Sequence, residues 1–91
     1  MAARLLRIEG RVQGVGYREW MAKEAARLGV HGWVRNRPDG SVQALLAGED
    51  AAVQALLTAA RRGPLMARVD RIEEKLAEDP AEPGFQRLPG G

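Results

Sequence analysis

Residues 3–12 alternate in polarity. Leu6, Ile8, Gly10 and Val12 fall on one side of an extended chain, with Arg7, Glu9 and Arg11 on the other. This is the period of a strand buried on one face. From Tyr17 to Leu28 the period changes: Met21, Ala25 and Leu28 recur at helical spacing, and Gly29 stands where a C-terminal cap belongs. Residues 30–36 are β-branched and aromatic enough for a strand. Arg37-Pro38-Asp39-Gly40 is a turn, proline presetting one φ and glycine tolerating a positive one, and Ser41 to Ala47 returns as the second arm of a hairpin. Asp50 is the expected N-cap of a second helix. In it Val53, Leu56, Leu57 and Ala60 repeat at i, i+3, i+4 and i+7, and Gly63-Pro64 ends it.

Beyond residue 64 the pattern is less regular. Val69, Ile72 and Leu76 have helical spacing, and the charged run Asp70 to Lys75 would suit a solvated helix face, so periodicity alone predicts a helix. Asp79 to Gly84 is a proline-bearing loop, Phe85 to Leu88 is a short final strand, and residues 89–91 are expected to fray. Ninety-one residues make one domain, 1–91, with a modest core and little room for a deep pocket or a second site.

Composition narrows the chemistry. No cysteine means no disulfide, no thiolate nucleophile and no thiolate metal site, and a single histidine cannot form a metal cluster. With no apolar export segment and no membrane-length apolar run, a cytoplasmic chain without membrane contact is expected. The net charge of +2 is too small for a general nucleic-acid binder. Its distribution is more telling: residues 1–40 hold eight basic and four acidic side chains, residues 41–91 six and eight. Arg11, Arg18, Arg35 and Arg37 form a basic focus that suits a small anion.

That focus surrounds the most distinctive stretch, Gly10-Arg-Val-Gln-Gly-Val-Gly-Tyr-Arg18. A strand that empties through glycines into a helix N-terminus leaves backbone N–H groups free to converge on an anion. A guanidinium at Arg18 would complete a phosphate clamp. The stretch is neither a Walker loop nor a dinucleotide fingerprint, since no Gly-Lys-Ser/Thr follows and the glycine spacing differs. Asn36 closes a second motif, Gly32-Trp-Val-Arg-Asn36, with Asp39-Gly40 in the turn beyond.

Together these segments resemble the acylphosphatase family, whose motifs read Gly-Arg-Val-Gln-Gly-Val-x-Tyr/Phe-Arg and Gly-Trp-Val-x-Asn, followed by Asp-Gly. The likeness runs from about Leu5 to Gly48 and continues more weakly through Gly63-Pro64 and Ala67-Arg-Val-Asp70. It implies that residues 69–76 form an edge-type strand with a phase break. The resulting order, βαββαβ, is that of a ferredoxin-like α+β sandwich: an antiparallel sheet, both helices on one face, and a short extra C-terminal strand.

The resemblance also implies the activity: hydrolysis of small acyl phosphates to carboxylate and inorganic phosphate by a monomeric enzyme with no cofactor and no metal. Gln13, Gly14, Val15, Gly16, Tyr17 and Arg18 would cradle the phosphoryl group, and Asn36 would orient the attacking water. The chemistry is consistent. An acyl phosphate has a good carboxylate leaving group, so it needs charge neutralisation and an aligned water more than an acid. A carboxamide can hold water without titrating. One departure from the family is the acidic, bulky Glu19-Trp20-Met21, where Glu19 is expected to partner Arg18.

Plainer roles are expected for other residues. His31 is structural or exposed, Asp39 serves the turn, and Glu73-Glu74 is a solvated face. Tyr17, Trp20 and Trp33 belong to the core or a site wall. The alternatives are a non-catalytic phosphate-binding module and a nucleic-acid-binding module of the same fold. The latter would need an aromatic-rich strand motif, and the four aromatics here do not form one. The acyl group itself is not specified by any motif.

Overall fold

A computed structural model describes residues 3–89. The alternating segment forms β1 (Ala3–Arg11), with Leu6 and Ile8 fully buried. The hairpin strands are β2 (His31–Asn36) and β3 (Val42–Ala47), closed by the Gly40 N–H donating to the Arg37 carbonyl at 3.1 Å. Helix α1 (Tyr17–Leu28) buries Tyr17, Met21 and Ala25, and Gly29 caps its C-terminus through a bond to the Ala25 carbonyl. Helix α2 (Asp50–Arg62) buries Val53, Leu56, Leu57 and Ala60. Its N-cap is Glu49 rather than Asp50. Glu49 has the extended backbone of a cap, whereas Asp50 already lies in the first turn, where its carboxylate faces the positive end of the helix dipole.

Residues 68–77 form a strand, β4 (Arg68–Ala77), as the family likeness implies and against the helical spacing. The register explains the spacing. Glu9 pairs with Arg71 while Gly10 pairs with Val69, so Asp70 is an extra residue and the strand bulges there. The bulge resets the phase, and Val69 and Ile72, three apart, both pack against the core.

A short β5 (Phe85–Arg87) completes the sheet in the order β4-β1-β3-β2-β5. The first four strands pair antiparallel, as expected, but β5 runs parallel to β2, so the sheet is mixed rather than antiparallel throughout. The cause is the crossing segment 78–84. It leaves the end of β4 at the sheet end where β2 begins, and reaches the opposite edge from that end. Of the tail expected to fray, Pro89 is exposed and outside any element, while 90 and 91 lie outside the described residues.

Both helices cover one face, and their apolar stripes meet Leu6, Ile8, Val34, Val42, Ala44 and Leu46 in one core. Each large aliphatic side chain buried there stabilises the fold by about 1.5–3 kcal/mol relative to exposure. The other face is open. It carries a small apolar patch around Ala3, Leu45 and Ala47, and Trp33 lies there with the Arg35 guanidinium 5.2 Å from its ring centre. The β1–α1 loop, the hairpin turn, the α2–β4 turn and the end of β5 all gather at one end of the sheet.

Candidate active site

The β1–α1 loop spans residues 12–16. Gly14 and Gly16 have φ of 74° and 78°, a left-handed conformation that side-chain-bearing residues rarely adopt. Gly16 is also the N-cap of α1 and offers no side chain to its amides. The first helical bond runs from the Trp20 N–H to the Gly16 carbonyl at 3.0 Å, leaving the preceding amides without a helical acceptor. The loop and the N-terminus of α1, the positive end of its dipole, border one small cavity of about 160 Å³. It is lined by Val12, Gly14, Gly16, Tyr17, Arg18, Glu19, Asn36 and Arg87. The fold therefore brings Arg18 from α1 and Asn36 from the end of β2 to one place, as the motif spacing requires.

The remaining loop residues hold this arrangement. Gln13 donates both side-chain N–H groups across to the hairpin, Nε2 lying 2.8 Å from the Arg37 carbonyl and 2.8 Å from the Ser41 carbonyl. This staples the loop to the turn that follows Asn36. What position 13 can still offer an anion is its backbone. Val15 is half-buried against the core. Tyr17 is buried, edge-on to Trp20 with centroids 5.4 Å apart, and its hydroxyl donates to the Ala60 carbonyl at 2.6 Å. Burial pushes its phenol far above the usual tyrosine range, so it stays protonated and anchors the first turn of α1 to the end of α2.

The Arg18 side chain is half-buried and its Nη1 donates to the Leu88 carbonyl at 2.8 Å, just past β5. One arm of the guanidinium is fixed, and the rest of its fork remains for a ligand. Glu19 does not partner Arg18. Its carboxylate lies 3.4 Å from Lys23 Nζ, one turn along the helix, and 4.0 Å from Arg87 Nη1. A helical neighbour at i+1 projects to a different side, whereas i+4 shares the face. Sequence reasoning singled out neither Arg87 nor the Leu88 carbonyl, because nothing local shows that the last strand returns beside β2.

His31 stands at the opposite end of the sheet, exposed, its Nδ1 accepting the Gly84 N–H at 2.8 Å. Asp39 shapes the turn, its Oδ1 accepting from the Ser41 hydroxyl at 2.6 Å and the Ser41 N–H at 2.9 Å, while Arg7 holds its other oxygen. Those Ser41 bonds, then Arg7, hold the Asp39 carboxyl well below the usual carboxylate range. Among the described residues, no three His, Asp or Glu side chains converge where a metal ion could sit.

A larger concavity lies elsewhere. About 420 Å³ of the open sheet face is lined by Leu5, Arg7, Arg37, Gln43, Glu73 and Lys75, among others. Arg7, one of its cations, is already hydrogen-bonded to Glu9 and Asp39. A phosphoryl group needs converging donors rather than volume, so the smaller cavity at the loop is the candidate site.

The acylphosphatase family model matches residues 5–87. The chain is 55% identical over 91 residues to an acylphosphatase of Acidiphilium cryptum, covering all of both chains. It superposes on the crystal structure of acylphosphatase from Bacillus subtilis with a TM-score of 0.90 at 31% identity, covering 97% of this chain and 99% of that one. The same fold occurs in the HypF protein of T. kodakarensis (TM-score 0.85, 27% identity), where it matches 97% of this chain but only 12% of that one. With the loop, Arg18 and Asn36 assembled as described, the chain belongs to the acylphosphatase family.

Proposed function

We propose that the amides of the 14–18 segment and the free fork of Arg18 hold the phosphoryl oxygens, and that Asn36 fixes the water that attacks phosphorus. The activity is hydrolysis of the carboxyl–phosphate anhydride of small acyl phosphates. In the proposed step the water oxygen bonds to phosphorus and the phosphorus–oxygen bond to the acyl group breaks. The carboxylate leaves with that electron pair. The water proton passes to a phosphoryl oxygen of the substrate, because Glu19, the one carboxylate at the cavity, is engaged by Lys23 and Arg87. Preorganised donors at the developing charge are the largest source of acceleration in such sites. The observation that carries this reading is the convergence of Arg18, Asn36 and the glycine loop on one 160 Å³ cavity.

No helix among the described residues is long and apolar enough to cross a membrane. We take the protein to act as a single domain, as a monomer in the cytoplasm, without cofactor or metal, on small molecules rather than nucleic acid. The open sheet face supports the last point: its one indole, Trp33, is occupied by Arg35 and does not form a stacking platform with a second ring.

The test separates binding from chemistry. Turnover of an aryl acyl phosphate is followed by ultraviolet absorbance, with inorganic phosphate as inhibitor. Asn36→Ala should lose about 10²-fold or more in kcat while its phosphate inhibition constant stays within about threefold. Parallel loss of rate and phosphate affinity would make Asn36 a ligand-binding group instead.

A further inference from the structure

We propose that Arg87 is a second substrate-binding cation, kept beside Glu19 in the free protein and recruited to the phosphoryl oxygens when the anion enters. The inference rests on the placement of the phosphoryl group at the 14–18 segment.

Arg87 comes from the last strand, yet it lines the same cavity as Gly14, Gly16, Arg18 and Asn36. Its position is fixed by the backbone. Arg87 is in register with Val34, two residues before Asn36 on β2, and the next N–H, that of Leu88, donates to the Val34 carbonyl at 2.8 Å. Its side chain is held less firmly. The guanidinium approaches Glu19 only to 4.0 Å, makes no hydrogen bond there, and is 52% exposed. Glu19 has a closer cation in Lys23, so it does not depend on Arg87.

Charge balance gives Arg87 its role. A phosphoryl group near neutrality carries roughly −1.5 to −2 charges. Arg18 supplies one positive charge, and one of its Nη atoms is already bonded to Leu88. Glu19 adds a carboxylate to the rim of the cavity. A dianion held by Arg18 alone would face that carboxylate with a deficit of positive charge. Arg87 lines the cavity beside Glu19, and a rotation of its long side chain exchanges a loose ion pair for charge-assisted bonds to phosphoryl oxygen. The exchange changes no backbone contact of β5, so Arg18 keeps its Leu88 anchor.

The experiment measures KM and kcat for an aryl acyl phosphate, together with inhibition by inorganic phosphate, in Arg87→Gln, Arg87→Lys, Glu19→Gln and the Glu19→Gln/Arg87→Gln pair. Because the group is half exposed and screened, Arg87→Gln should weaken phosphate binding and raise KM by about three- to tenfold, with kcat within about twofold. Arg87→Lys should recover most of that affinity, since a point charge serves here. Glu19→Gln should tighten phosphate binding, and the gain should shrink when Arg87 is also removed. Unchanged phosphate affinity in Arg87→Gln would overturn the proposal. So would a loss that lysine does not restore and that falls on kcat, which would mean Arg87 acts by holding β5. Arg18→Ala separates this from the underlying placement. If Arg18→Ala loses phosphate binding while Arg87→Gln does not, the site stands and Arg87 has no part in it. If Arg18→Ala binds phosphate like the parent, the placement of the phosphoryl group fails, and the role of Arg87 with it.

Discussion

The two edges of the sheet differ in almost every respect. β4 has ten residues, a bulge at Asp70 and a run of exposed ion pairs such as Arg71 with Glu73 at 2.6 Å. β5 has three residues and pairs with β2 over Gly32, Trp33 and Val34. Yet the short edge borders the candidate site and the long one does not. The Leu88 carbonyl anchors Arg18, and Arg87 lines the cavity. The charge and bulge of β4 are what an open edge needs to resist pairing with other chains. The extent of a strand says how a sheet is closed off; the groups at its end decide whether it serves the site.

The largest expected effect lies at the group that β5 anchors. Arg18→Ala should reduce kcat/KM by about 10³-fold or more, because it removes a charge-bearing clamp where loss of a single neutral donor costs ~10²–10³-fold. Arg18→Lys should recover little, since an ammonium cannot bond Leu88 and fork onto phosphoryl oxygens together. Near-parental rates in Arg18→Ala would remove Arg18 from the mechanism, and near-parental rates in Arg18→Lys would mean that a point charge suffices.

A matched pair of substitutions sharpens the comparison of edges. Phe85 on β5 and Ile72 on β4 are both half-buried against the core. Truncating either to alanine should destabilise the protein by about 1–3 kcal/mol, measured by urea unfolding. Only Phe85→Ala should also slow turnover, by about tenfold, because it loosens the strand that positions the Leu88 carbonyl. Equal effects on rate would mean that β5 contributes stability alone.

A smaller effect distinguishes the site from the hairpin beside it. The Asp39 carboxyl is held below its usual range by Ser41 and Arg7. Its stabilising contribution is therefore present above the unfolded-state carboxylate pKa of about 3.9 and is lost as pH falls below that value. Asp39→Asn should be less stable than the parent at neutral pH, with the gap closing as pH falls below about 4. From about pH 5.5 to 8 the rate should change little in either protein, because the one histidine stands at the far end of the sheet. A steep inflection there that vanished in His31→Gln would require a different mechanism.

What the sequence made legible follows the same division. The central strands and helices show in the periods of Leu6-Ile8, of Met21-Ala25 and of Val53 to Ala60, because each is buried on a single face. The candidate site was legible where residues that line its cavity sit in contiguous motifs, as for Gly14, Gly16, Arg18 and Asn36. β4 misleads because the bulge at Asp70 converts a strand's period into an apparent helical one, and family likeness corrected it. The parallel direction of β5, the pairing of Glu19 with Lys23 and the use of the Gln13 side chain on the hairpin were hidden. Each depends on contacts between segments distant in sequence or on the side a helical neighbour faces. Arg87 was missed for the first of these reasons.

The most direct measurement is a titration of the labelled protein with inorganic phosphate, following backbone amide and arginine side-chain resonances. The account predicts saturable shifts at the amides of residues 14–18 and at the Arg18 guanidinium, with the open-face residues Arg37 and Lys75 unmoved. Shifts centred on Arg7, Arg37 and Lys75, with the 14–18 amides silent, would place the anion in the larger concavity and contradict it.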